Sequence, residues 1–179
     1  VVSNLMDIFD GLVDSIQIRQ DVEIKPDKIL VEKCLGRVLK SFNTQIQKYD
    51  ATIEVDFEKV PIIYFPTKYM ESILSNLISN ALKYKSPNRK PLISIKTEQK
   101  RMGTTLLSIS DNGVGIDLEL HKDNLFKIGK TFYKHPNAKG FGLFMTKTQV
   151  EAMDAEIWAE SQLGKGTTFF IEFKSQSQS

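Results

Sequence analysis

The chain has 179 residues, 41% of them hydrophobic and 26% charged, which fits one compact domain with a core of its own and a short helical appendage. A formal net charge of +2 is too small to point to nucleic acid or an anionic membrane as partner. One cysteine, Cys34, and two histidines, His121 and His135, exclude an internal disulfide and argue against a cysteine- or histidine-rich metal site, and no apolar run reaches the roughly 18 residues that span a bilayer.

The opening Val1-Val2-Ser3-Asn4 has neither an initiator methionine nor a basic stretch leading into an apolar one. It reads as a segment of a longer protein, without a signal peptide. Leu5, Ile8, Phe9, Leu12 and Ile16 recur at helical spacing over residues 3–17, with Asp7, Asp10 and Asp14 facing away. Lys25-Pro26-Asp27 reads as the start of a second helix. Leu30, Val31, Cys34, Leu35, Val38, Leu39, Phe42 and Ile46 carry its period to about residue 48. Residues 52–57 alternate as a strand, and a second short strand is expected at 60–64, before Pro66. Residues 67–84 hold the strongest helical pattern of the chain, ended by Ser86-Pro87-Asn88.

Strands are expected at 92–99 and 105–110, joined by a turn at Arg101-Met102-Gly103. Asp111-Asn112-Gly113-Val114-Gly115 follows, and then a stretch to residue 139 rich in Lys, Asn and aromatics. Only its residues 118–125 have a helical pattern; a connection of that length is more often functional than incidental. A helix is expected at 142–153 and strands at 156–161 and 167–173, around a turn at Leu163-Gly164-Lys165-Gly166. The polar tail, residues 175–179, reads as disordered. Helices first, then strands and helices mixed, predict an α+β fold, a two-layer α/β sandwich with one sheet face covered by helices.

Four places carry residues suited to chemistry. At about 100° per residue, Asn76, Asn80 and Lys83 share a narrow stripe beside the apolar arc of their helix. Carboxamide oxygens suit Mg²⁺ and an ammonium suits phosphate, although such a stripe also fits an ordinary solvated helix edge. Asp111 at a strand end can accept from an exocyclic amine, with glycines letting backbone approach a flat ring; Asp-Asn-Gly equally fits a plain turn. Lys139-Gly140-Phe141-Gly142-Leu143 opens a helix, where free amides and the helix dipole favour phosphate, or forms a hinge. It has neither the spacing of a Walker A loop nor the strand before it of a dinucleotide fingerprint. Gly164-Lys165-Gly166-Thr167-Thr168-Phe169 fits a hairpin turn, or a Thr hydroxyl at the base of a nucleotide pocket.

In order and spacing these segments resemble the ATP-binding catalytic domain of sensor histidine kinases, in the GHKL ATPase/kinase superfamily. Ser75-Asn76-Leu77-Ile78-Ser79-Asn80-Ala81-Leu82-Lys83-Tyr84 resembles its N box and Asp111-Asn112-Gly113-Val114-Gly115-Ile116 its G1 box. Leu125-Phe126 with Thr131-Phe132-Tyr133-Lys134 is similar to its F box, Ala138-Lys139-Gly140-Phe141-Gly142-Leu143 to its G2 box, and the Gly164 segment completes the pattern. The likeness runs from about residue 25 to residue 173. It implies a Bergerat fold over residues 25–174, a mixed sheet with helices on one face and ATP beneath a mobile lid. It also implies that residues 1–20 are the end of a dimerisation and phosphoacceptor helix.

The resemblance further implies roles. Asn80 coordinates Mg²⁺, supported by Asn76, and Lys83 contacts phosphate. Tyr84 lies against the nucleoside. Asp111 bonds the adenine amine, with Gly113, Gly115, Ile116 and Thr168 lining the base. The amides of Gly140, Gly142 and Leu143 meet the phosphates, and Lys130, Lys134 or His135 clamps the γ-phosphate from the lid. Two positions depart from the pattern: Ala138 replaces a glycine, and Met153-Asp154-Ala155 stands where a glycine turn is usual.

Water-splitting relatives in that superfamily carry a Glu one turn before the Mg²⁺ asparagine. Asn76 occupies that position, and an amide cannot take a proton near pH 7. Transfer of the γ-phosphate to a protein nucleophile is therefore expected, and the resemblance implies that this nucleophile is a histidine. That histidine belongs on an upstream hairpin absent from this chain, because His121 and His135 lie in the lid region. The expected partners are that hairpin and a response-regulator receiver domain, with no nucleic acid and no direct membrane contact. The fragment is expected to be cytoplasmic and monomeric within a homodimeric parent, and not to autophosphorylate alone. The alternatives are a GHKL serine kinase of anti-sigma type and a non-catalytic nucleotide-sensing module.

Overall fold

The computed structural model describes Leu12, residues 24–127 and residues 140–174. Apart from Leu12, the expected N-terminal helix lies outside the described residues, as does the tail at 175–179. In chain order the elements are β1 (Asp27–Leu30), α1 (Val31–Lys40), α2 (Asn43–Tyr49), β2 (Thr52–Asp56), β3 (Ile62–Phe65), α3 (Thr67–Lys83) and β4 (Leu92–Gln99). There follow β5 (Thr105–Asp111), the short α4 (Leu118–His121), α5 (Gly142–Ala152), β6 (Glu156–Gln162) and β7 (Gly166–Phe173).

Five strands form one mixed sheet in the order β2-β4-β5-β7-β6, with β2 parallel to β4 and the other pairs antiparallel. Strict alternation gives β4 and β7 one buried face each, whereas in β5 the consecutive Leu106 and Leu107 are both buried. Ile93, Ile95 and Thr97 of β4 are buried, as are Phe169, Ile171 and Phe173 of β7, while Lys96 and Glu98 pair on the other face. Against the buried face lies a layer of helices, with α3 packed between α1 and α5. Ile73, Leu74, Leu77, Ile78, Ala81 and Leu82 of α3 are all 3% exposed or less, so this helix is the centre of the core. The result is the expected two-layer α/β sandwich. Among the described residues no helix is long and apolar enough to cross a membrane.

The single helix expected from residue 25 to residue 48 is not formed. Asp27–Leu30 is a strand, paired antiparallel with β3 so that Ile29 meets Ile63 in the core. The helical run then breaks at Ser41-Phe42, between α1 and α2, where the Phe42 ring is buried. Lys25-Pro26-Asp27 does serve a helix start, but a distant one. The Asp27 carboxylate accepts from the Thr67 amide at 3.0 Å and the Thr67 hydroxyl at 2.8 Å, capping α3, whose own preceding residue is Pro66. Those two bonds hold the Asp27 carboxyl below its ordinary value.

Strand β5 runs one residue past expectation. Asp111 is thus part of the ladder, opposite Ile93 on β4 and Thr167 on β7. The turn after α5 keeps the left-handed geometry that glycine usually supplies: Asp154 has φ 55°, its amide bonds Glu151 O, and the Ala155 amide bonds Val150 O. Asp154 bears the steric cost of that conformation. Asp154→Gly is therefore expected to raise stability by up to about 1 kcal/mol in urea titration, with the m-value unchanged.

Candidate functional site

The tail of α3, the end of β5, the β6–β7 hairpin and the start of α5 converge at one end of the sheet. Asp111 is the hub. Its Oδ1 accepts from the Gly113 amide at 2.8 Å, and the Thr167 amide also donates to the carboxylate. Burial nevertheless outweighs these bonds and pushes the carboxyl up to about 6.

The turn that follows is gripped on two sides. On the α3 side, the Val114 amide bonds Tyr84 O at 3.0 Å, and Tyr84 closes the helix through its own bond to Asn80 O. A Cβ on Gly113 would lie 2.3 Å from Tyr84 O, so no larger residue fits that approach. On the hairpin side, the Gly164 amide bonds Val114 O at 2.8 Å, and the Ser161 hydroxyl accepts from the Ile116 amide at 2.7 Å while donating to Gly166 O. Gly115, at φ 74°, faces the Gln162 carbonyl, and a Cβ on Gly166 would meet Asp111 O at 1.9 Å. Ile116 enters the core.

Asn76, Asn80 and Lys83 lie half-buried along α3. The Asn76 carboxamide is an interhelical donor, to Gly142 O at 3.2 Å and to Thr146 Oγ1 at 3.3 Å. Thr146 Oγ1 donates back to Gly142 O at 2.8 Å. Asn76 therefore ties α3 to the first turn of α5, where Gly142 and Leu143 sit and before which Gly140 adopts φ 75°. Burial raises the Tyr84 phenol above its ordinary value. Phe126 stands edge-on to Phe169, 6.4 Å between centroids, with Lys147 Nζ 5.4 Å from its ring centroid. Thr131, Phe132, Tyr133, Lys130, Lys134, His135, Ala138 and Lys139 lie outside the described residues.

One expected neighbour of Asp111 is displaced by one position. Alternation along β7 turns Thr168 to the opposite sheet face, where its Oγ1 and Ser110 Oγ share a 2.8 Å hydrogen bond. Thr167, 6% exposed, is the residue across the ladder from Asp111. The parity of Phe169, Ile171 and Phe173 carries that signal in the sequence. Sequence reasoning also passed over the Asn112 side chain, Ser161 and Arg89. Asn112 Oδ1 accepts from the Leu92 amide and its Nδ2 donates to Lys90 O.

Residues 67–177 match the family described as histidine kinase-, DNA gyrase B-, and HSP90-like ATPases. The chain belongs to this family. Sensor protein RprX of Bacteroides fragilis (strain YCH46) is 30% identical over 161 residues, 86% of this chain and 30% of RprX. Histidine protein kinase SaeS of Staphylococcus aureus (strain MW2) is 27% identical over 94% of this chain and 49% of SaeS. The chain thus spans about a third to a half of these curated relatives. Among solved structures, full-length ShkA in complex with AMPPNP has a TM-score of 0.78 at 18% identity, over 94% of this chain and 35% of that one, a likeness of fold.

The Asp111 carboxylate contributes to the pH dependence of the domain's stability. Because the folded pKa is raised, Asp111 favours folding below its unfolded value, and that contribution is lost as pH rises through about 6. Chemical denaturation should show the wild type gaining about 1 kcal/mol relative to Asp111→Asn between pH 7.5 and pH 5. Parallel pH profiles of the two proteins would contradict the burial.

Proposed function

We propose that this chain is the catalytic domain of a sensor histidine kinase, which transfers the γ-phosphate of ATP to a histidine on an upstream helical hairpin, for relay to a response-regulator aspartate. The observation that carries this reading is the state of Asn76. At the position where a water-activating carboxylate would stand, the side chain is an amide that donates to Gly142 O and Thr146 Oγ1. It has no proton-accepting capacity near neutral pH. Phosphoryl transfer needs positioning and charge neutralisation above all, and an acceptor imidazole supplies its own nucleophilicity. SaeS carries the name histidine protein kinase, and ShkA was solved with a non-hydrolysable ATP analogue, in keeping with this assignment.

The residues fit an adenine nucleotide. A half-buried carboxylate against which backbone amides converge is a ready acceptor for the exocyclic amine, and the glycine-lined turn lets a flat ring lie close. In this reading Asp111 orients the base, Gly113, Gly115, Ile116 and Thr167 enclose it, and Tyr84 shields the nucleoside. Lys83 and the amides at 140–143 meet the phosphates. Lys134 remains a candidate lid contact on sequence grounds alone.

Among the described residues no group of three His, Cys, Asp or Glu is placed to hold a metal. A cation here would rest on the Asn80 carboxamide oxygen, water and phosphate oxygens, a donor set that suits Mg²⁺. Mg²⁺ would supply charge neutralisation between the phosphates. Asn76, by fixing the start of α5 against α3, holds the amides of that turn in register with Asn80.

Supplying the hairpin in trans with labelled ATP should yield acid-labile phosphohistidine, and Asn80→Ala should slow the transfer by at least about a hundredfold. Acid-stable phosphoserine on a partner would replace this reading with that of a serine kinase. Nucleotide binding without any transfer would replace it with a sensing module.

A further inference from the structure

The sequence marks Ser86-Pro87-Asn88 as the end of α3 and says nothing of Arg89, the residue that follows it on the way to β4. The structure gives Arg89 a specific task. Its Nε lies 3.1 Å from Asn112 O; its Nη2 lies 2.7 Å from the same oxygen and 2.9 Å from Gly113 O. One planar guanidinium thus spans two successive carbonyls of the turn that follows Asp111. A lysine ammonium, a point charge on a flexible stem, cannot reproduce that fork.

Those carbonyls are not remote from the site. Gly113, whose oxygen Arg89 holds, is the residue whose amide holds Asp111 Oδ1. Asn112 binds the same connection from the other side, through Leu92 N and Lys90 O. The position of the Gly113 amide, and with it the rotamer of the Asp111 carboxylate, is therefore set from across the α3–β4 loop. The Thr167 amide holds the same carboxylate from β7, so the Gly113 amide that Arg89 positions is the second of its two backbone donors.

We propose that Arg89 is a positioning residue for base recognition: by clamping Asn112 O and Gly113 O it fixes Asp111 in the orientation that accepts the adenine amine. The inference rests on the adenine-binding reading above. Arg89 donates to the backbone carbonyls of Asn112 and Gly113, so it acts on the base through Asp111 and leaves phosphate binding alone.

The test compares wild type, Arg89→Ala, Arg89→Lys and Asp111→Asn for binding of ATP, GTP and magnesium tripolyphosphate, a probe without a base. Arg89→Ala should bind ATP about tenfold more weakly and discriminate less between ATP and GTP, with tripolyphosphate affinity unchanged. Arg89→Lys should recover little of the loss. In the Asp111→Asn background, Arg89→Ala should have no further effect, since the two act in series. In kinase assays with the hairpin supplied, KM for ATP should rise while kcat holds. Equal weakening of ATP and tripolyphosphate, or additive losses in the double variant, would show a general structural role and overturn the proposal. So would full ATP affinity in Arg89→Ala. If Arg89→Ala does not fold, Arg89→Lys carries the same comparison. Failure of the underlying reading looks different: wild type itself would then not prefer ATP to GTP.

Discussion

A carboxylate lodged at the end of β5, with its pKa pushed up to about 6, is costly for a folded domain, and much of the surrounding architecture exists to hold it. The ladder places Asp111 between Ile93 and Thr167. Gly113 and Thr167 aim amides at it, and the Tyr84 carbonyl stops the turn from moving outward. From the other side the β6–β7 hairpin grips the same turn through Gly164 and Ser161. A group this constrained and this poorly solvated has its interaction partners prepared in advance of any ligand, which is what selective recognition of a donor requires.

The helix layer transmits this order to the other half of the site. Because α3 is buried along its length, its polar stripe has little freedom. Asn76 spends its donors on the first turn of α5, and Asn80 and Lys83 follow at helical spacing. The Asp27 cap at one end of α3 and the Tyr84–Val114 bond at the other hold the helix along its axis. The turn after β5 and the first turn of α5 are thus referred to one rigid element; in the proposed function these turns meet base and phosphates, and positioning catalysis needs such an arrangement.

Much of this was legible in the chain. The periods of α3, β4 and β7 are complete, so their extents and inward faces follow from local pattern, and the order of the five motifs carried the family. What escaped depends on distant partners. Asp27–Leu30 has a helix-compatible pattern and becomes a strand because β3, some thirty residues later, offers Ile63 to Ile29. Ser41-Phe42 breaks the helical run because burying the Phe42 ring outweighs continuing the period. Arg89 and Asn112 gave no signal, since their partners are backbone groups about twenty residues away and any residue type supplies those. That Thr167 rather than Thr168 lies across the ladder from Asp111 was readable from strand parity.

The most direct test of the account is calorimetric titration of this chain with ATP and ADP, each with and without Mg²⁺. The account predicts one site per chain, ATP affinity strengthened by Mg²⁺, and little binding of GTP. A demonstrably folded sample that binds neither nucleotide, or binds ATP and GTP alike, would contradict the claim that Asp111 and its turn form an adenine pocket.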